Sequence, residues 1–182
     1  MKQFLLSAWE VLEIVVIATV TVFLVRTFLI QPFLVSGASM EPNFSDGNYL
    51  LIDEITYRFR EPARGEVIVF RYPNDPSTYY IKRIIGLPGE KLSIKNNQLT
   101  IFNNQKPEGF NINEDYIRSD IKTAGNIEVL LKDNEYYVLG DNRYYSYDSR
   151  NWGPVPKDDI IGLARLRLLP LTYLKAFAAP RY

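Results

Sequence analysis

The chain has 182 residues, with 21 basic and 21 acidic side chains and a formal net charge of zero, and it contains neither Cys nor His. That excludes disulfides, a Ser-His-Asp triad and a Cys-His pair, and it leaves a zinc site only carboxylates, an unusual donor set. The balanced charge argues against a nucleic-acid partner, which draws a basic excess, and the length fits one domain with room for a small insertion.

Residues 4–30 are dominated by Leu, Ile, Val, Phe and Ala. The charge-free part, 14–25, is shorter than the roughly 20 residues of a membrane span. A span must therefore accept Glu10 and Glu13 near one interface, where a carboxylate costs less than at the bilayer centre. Trp9 beside them suits an interfacial belt. A single transmembrane anchor is expected over residues 1–31. Two other readings are a cleavable signal peptide and a long buried or interfacial helix. Against the first, Arg26-Thr27-Phe28-Leu29-Ile30-Gln31-Pro32 holds no small-x-small cleavage site. Pro32 ends any helix at Gln31 or earlier. With Lys2 on one side and Arg26 on the other, the charge rule says little about orientation. The apolar run continues through Phe33-Leu34-Val35, which a domain resting on a bilayer would bury.

Beyond residue 35 the pattern changes to short alternating runs, in a chain rich in Tyr (13) and Phe (10). Strands are expected at 48–53, 66–72, 79–85, 91–95, 98–102, 128–131, 136–139 and 160–168. Asn96-Asn97 reads as a tight hairpin turn, since Asn tolerates positive φ. Asp46-Gly47, Arg64-Gly65, Pro73-Asn74-Asp75-Pro76 and Pro88-Gly89 are further turn signals. The fold class is mainly β: an antiparallel β-domain over 32–90 and 136–182, interrupted at 91–135 by a small, more polar β-subdomain.

Three clusters could carry chemistry. In Ser36-Gly37-Ala38-Ser39-Met40-Glu41-Pro42, small residues around a Ser let a substrate backbone approach, although Ser and Gly also make ordinary surface turns. In Tyr79-Tyr80-Ile81-Lys82-Arg83-Ile84-Ile85, alternation puts Tyr80, Lys82 and Ile84 on one face and Ile81, Arg83 and Ile85 on the other. This is either an edge strand with solvated cations or a Lys held among apolar groups. The second matters because a free Lys, with pKa near 10.4, must be brought down by roughly 2–3 units to act as a base at neutral pH, and burial does this. The third cluster runs from Gly140 to Gly153. There Asp148 and Arg150 share a face in an extended segment and can pair, as they also would in a merely polar loop.

In this order, Ser-Gly-Ala-Ser-Met-Glu-Pro, Lys-Arg-Ile-Ile-Gly-Leu-Pro-Gly-Glu and Gly-Asp-Asn-Arg-Tyr-Tyr-Ser-Tyr-Asp-Ser-Arg resemble the type I signal peptidases, the Ser–Lys membrane peptidases of family S26. The resemblance covers nearly the whole chain and is weakest in the insertion and after Pro170. It implies Ser39 as nucleophile, Lys82 as general base and Ser146 as the Ser that hydrogen-bonds and orients that Lys. It implies Asp148 and Arg150 as a structural ion pair behind the site, and Phe33, Val35 and Ile81 as lining for small side chains at −1 and −3. The oxyanion donors implied are the Ser39 backbone N–H and, as the candidate second donor, Ser36, because Gly37 stands where some members have a Ser. Asn43 and Glu90 also depart from the family's usual Thr and Asp. The resemblance implies a serine endopeptidase that removes signal peptides from exported preproteins after Ala-x-Ala. Such an enzyme would need no metal or cofactor, and it would be a monomer in the plasma membrane with its β-domain on the extracytoplasmic side. The partners implied are signal peptides and the lipid bilayer, with no nucleic acid. The rival readings are a self-cleaving repressor-type peptidase, whose DNA-binding helices this chain lacks, and a membrane-tethered β-domain that binds exported chains without cutting them.

Overall fold

The computed structural model describes residues 2–28, 30–118, 120–169 and 175–176. The tail beyond Leu169, expected to belong to the β-domain, otherwise lies outside the described residues.

Helix α1 (Lys2–Phe28) fills the apolar N-terminal segment. Along it Trp9, Ile14, Ile17 and Phe23 are each more than half exposed, and at 100° per residue they point to different sides. Among the described residues no helix is long and apolar enough to cross a membrane, so the transmembrane helix expected over 1–31 is not found there. The charge-free run 14–25 within α1 rises about 18 Å, and Glu10 and Glu13 precede it.

The remainder is built of antiparallel strands. In chain order they are β1 (Ile30–Leu34), β2 (Tyr49–Asp53), β3 (Val67–Tyr72), β4 (Asp75–Gly86), β5 (Lys91–Lys95), β6 (Gln98–Asn103), β7 (Lys106–Asn111), β8 (Ile127–Leu130), β9 (Glu135–Leu139), β10 (Val155–Pro156), β11 (Ile160–Leu169) and β12 (Lys175–Ala176). Two one-turn helices intervene, α2 (Thr56–Phe59) and α3 (Ser149–Trp152). The larger sheet has the order β1-β2-β11-β3-β4-β9-β10, with β12 also on β11, and the smaller has β7-β6-β5-β8.

Every expected strand forms. Strand β1 is an addition, because Pro32 and the preceding apolar run read as the end of a helix. Proline lacks an N–H and is tolerated at a sheet edge, and among the described residues β1 is an edge strand bonded only to β2. The Asn96-Asn97 turn has φ of 51° and 62°, as the hairpin requires.

Alternation on β3 explains how one sheet carries two cores. Val67 and Val69 join Val35, Met40, Phe44, Leu50 and Ile52 on one face. Ile68 and Phe70 join Ile84, Tyr136 and Val138 on the other. A third cluster ties the sheets together, with Ile85, Tyr137 and Leu139 of the larger sheet against Leu92, Ile94, Leu99 and Ile101 of the smaller. Strand β4 is thus buried on both faces from Lys82 to Gly86, which decides the environment of its two cations.

Candidate active site

Ser39 sits in the turn-rich connection between β1 and β2. The loop is closed at its base by Val35 N–H to Asn48 O at 2.9 Å and Gly47 N–H to Val35 O at 3.0 Å. Met40 and Phe44 plug it into the core at 1% and 0% exposure. Gly37 has φ +90°, a conformation that favours glycine, and its N–H donates to Asp46 Oδ1 at 2.7 Å. A side-chain oxyanion donor at that position would therefore strain the turn.

Lys82 extends from β4 to this loop. Its Nζ donates to Ser39 Oγ at 2.7 Å and to Ile81 O at 2.9 Å. Lys82 is only 2% exposed. Burial brings its pKa down to about 8, against the opposing pull of the Asp148 and Asp141 carboxylates. Nζ also lies 5.3 Å from the centre of the Tyr80 ring. That ring stacks on Trp152 at 5.5 Å and 11° and packs against Tyr72 at 5.2 Å. These rings form an aromatic wall beside the Lys82 amine. Of the two readings of this strand, the structure takes the buried lysine, and it buries Arg83 as well.

Arg83, on the opposite face of β4, meets Asp141 through two bonds, Nε to Oδ1 at 2.8 Å and Nη2 to Oδ2 at 2.6 Å, with Asp141 fully buried. Such a fork fixes both partners. Asn142 then ties the motif to the serine loop. Its N–H donates to Ser39 O at 3.0 Å and its side chain to Ala38 O at 3.0 Å. Reading by motif misses these contacts. The signals are present in the apolar residues flanking Arg83 on its own face and in the Asp141-Asn142 pair directly after a buried strand.

Asp148 and Arg150 do pair, at 2.8 Å and 2.9 Å, but across a helix start rather than in an extended segment. Asp148 caps α3, and the Asn151 side chain completes a capping box. Asp148 Oδ2 also accepts from Gly140 N–H at 3.1 Å, while Arg150 Nη2 donates to Arg143 O at 2.7 Å. The ion pair thus closes the 140–150 loop on itself.

Ser146 lies inside that loop. Its Oγ is buried and makes no hydrogen bond, so the expected bond to Lys82 is not formed. At Gly140 a Cβ would fall 2.2 Å from Ser146 Oγ and 2.4 Å from the Ser39 carbonyl oxygen. Only a glycine lets the two serines come together over this strand end. Arg143 braces the loop from behind, with Nη1 on Glu114 Oε2 at 2.9 Å and Nη2 on Tyr116 Oη at 3.2 Å. These partners come from the weakly patterned 110–126 stretch.

In front of the Ser39–Lys82 contact lies an open cleft of about 310 Å³. Phe33, Val35 and Ile81 line it, together with Ser36, Ser39 and Lys82, so the structure gathers the expected pocket residues around the serine. Among the described residues no group of three or more Asp or Glu side chains could hold a metal ion.

The sequence model of the signal peptidase, peptidase S26, family matches residues 8–169. Signal peptidase I V of Bacillus subtilis is 36% identical over 138 residues, covering 71% of this chain and 80% of that protein. Signal peptidase I P of Bacillus subtilis subsp. natto is 33% identical over 174 residues, covering 90% of each. A signal peptidase I crystal structure from Enterococcus faecalis is 28% identical, with a TM-score of 0.47 over 57% of this chain and 97% of that one. This chain belongs to the S26 signal peptidase family and is a serine peptidase.

Proposed function

We propose that the chain removes signal peptides from exported preproteins by a Ser39–Lys82 dyad, cutting after a small residue with a second small residue at −3. The observation that carries this is the 2.7 Å contact between Ser39 Oγ and a lysine 2% exposed, in a chain without histidine.

Two strand edges can receive the substrate. Among the described residues β1 has no partner on its outer side, and β4 is bonded to β9 only from Arg83 onward. The cleft lies between Phe33 to Val35 and Thr78 to Lys82. An extended peptide laid there would bond to main chain on one or both sides. Its alternate side chains, −1 and −3, would point at Val35, Ile81 and Phe33.

In the reaction, neutral Lys82 Nζ takes the Ser39 Oγ proton as Oγ bonds to the carbonyl carbon at −1. Collapse of the tetrahedral intermediate breaks the C–N bond, and Lys82 passes the proton to the leaving amine. Water then attacks the ester with Lys82 again as base, and Ser39 Oγ is reprotonated as the acid leaves. We assign the oxyanion to the Ser39 backbone N–H and the Ser36 hydroxyl, a contribution commonly worth about 3 kcal/mol. The unpartnered Ser146 hydroxyl is available to orient the Lys82 ammonium as it forms.

The exposed apolar side chains of α1, with Leu34 at 55% and Leu169 at 42% on the domain, support association with a lipid surface. We assign the β-domain to the extracytoplasmic side. The decisive experiment compares wild type, Ser39→Ala and Lys82→Ala on a preprotein with Ala at −1 and −3. Loss of cleavage in both variants is expected, and full activity in either overturns the dyad.

A further inference from the structure

A second cavity, of about 390 Å³, adjoins the catalytic cleft, and the two share Phe33 and Tyr79 as a common wall. These rings meet edge to face, 5.9 Å apart at 63°. Beyond them the lining changes from apolar to polar, with Gln31, Glu54 and Arg71. Glu54 also lines a neighbouring cavity with Tyr57 and Arg58, and its buried Oε1 makes no hydrogen bond among the described residues. Burial pushes the Glu54 carboxyl up, against Arg58 and Arg71. A charged oxygen buried with no partner is costly unless something supplies a donor.

Strand periodicity says what that is. Gln31 and Phe33 are two residues apart in β1, with Val35 directly after its end, and Tyr79 and Ile81 are two apart in β4, so each set shares a face. A substrate strand advances about 3.3 Å per residue with the same period of two. With −1 and −3 over Val35 and Phe33, the next side chain on that face is −5, and it arrives beyond the ring pair. Glu54 there accepts hydrogen bonds and Arg71 donates them. A side chain that does both, and carries no charge to be repelled by either, fits this pair.

We propose that the Gln31–Glu54–Arg71 cavity is a further substrate subsite, which takes an uncharged hydrogen-bonding side chain, a carboxamide, five residues before the cut. The inference rests on the peptidase reading above. Its test uses the full-length protein in detergent micelles and four preproteins with Ala at −1 and −3 that differ only at −5: Gln, Met, Glu or Lys. Wild type is expected to prefer Gln over its near-isostere Met by about fivefold in kcat/KM, the size of one neutral hydrogen bond. Glu54→Gln leaves Arg71 uncompensated and should move the preference to Glu. Arg71→Gln leaves Glu54 uncompensated and should move it to Lys. These are ratios within one enzyme, so they do not depend on how much of a variant folds. Equal rates on all four preproteins in wild type, or one unchanged ranking in all three enzymes, overturn the subsite alone. No cleavage of any preprotein by wild type overturns the peptidase reading and the subsite with it.

Discussion

Lys82 and Arg83 are consecutive and both almost fully buried, yet they end on opposite faces of β4 with opposite electrostatic fates. Arg83 is matched by the two-bond fork to Asp141. Lys82 ends on a hydroxyl and a carbonyl, with Asp148 and Asp141 acting on it only through space. One cation is compensated and holds the scaffold. The other is desolvated with no ion-pair partner among the described residues, and this difference suits it to the general-base role proposed above.

The pH dependence is a direct consequence. With Lys82 near 8, only about a tenth of the enzyme carries the neutral amine at pH 7 and about a hundredth at pH 6. The expected kcat/KM on a preprotein rises tenfold per pH unit up to about 8 and then levels. A profile flat from pH 6 to pH 9 would show that a proton on Lys82 does not limit the reaction.

Much of this is legible in the sequence, for definite reasons. Alternation locates the strands, and the same alternation separates Lys82 from Arg83. The missing histidine leaves lysine as the candidate base for Ser39. What escapes reading depends on contacts between distant segments. Strand β1 looks like the end of a helix because the partner it needs, β2, supplies its bonds from about twenty residues away. Nothing local in Trp152 says that its ring stacks on Tyr80. The resemblance puts Ser146 on Lys82, whereas its hydroxyl is left without a partner, a matter of rotamer and loop closure that sequence spacing does not set.

The Arg83–Asp141 pair carries a stability prediction. Asp141→Ala strands a buried guanidinium, which typically costs about 3–5 kcal/mol. It also removes one of two acceptors of the Asn43 side chain, bonded at 2.9 Å, the other being Tyr116 O at 2.7 Å. Urea denaturation should show that loss. The double variant Arg83→Met/Asp141→Leu should recover a large part of it, since no charge is then left unpaired. Equal stability of Asp141→Ala and wild type would mean the fork contributes nothing.

Gly140→Ala tests how close the two serines must be. The added methyl would overlap Ser146 Oγ and the Ser39 carbonyl oxygen, both under 2.5 Å away. The hydroxyl can rotate, but the Ser39 backbone can move only by shifting the serine loop, which Asn142 holds from the same segment. Overpacking of this kind costs about 1–3 kcal/mol. Displacing the nucleophile by even about 1 Å is expected to lower kcat on the order of a hundredfold. Thermal denaturation and kcat measured on the same sample check this, and a variant with wild-type kcat would show that the loop has room the structure does not give it.

Lys82 should also penalise folding, and the sign can be worked out. Its folded pKa of about 8 lies below the ordinary 10.5. Between those values the unfolded chain holds a proton that the folded chain has lost. Stability therefore rises with pH across this window, and below it the full penalty applies, about 3 kcal/mol. Lys82→Met removes the titrating group and keeps most of the apolar volume. The variant should be more stable than wild type at pH 7 by an amount of that order, less the lost bonds to Ser39 and Ile81, and inactive. The gap should narrow as the pH is raised from 8 to 10.5, while titrating tyrosines affect both proteins alike. Urea titrations of the two proteins at pH 7 and pH 10 give the comparison. A gap that stays constant would mean that Lys82 enters the fold as readily charged as neutral, and the base assigned to Ser39 would lose its physical basis.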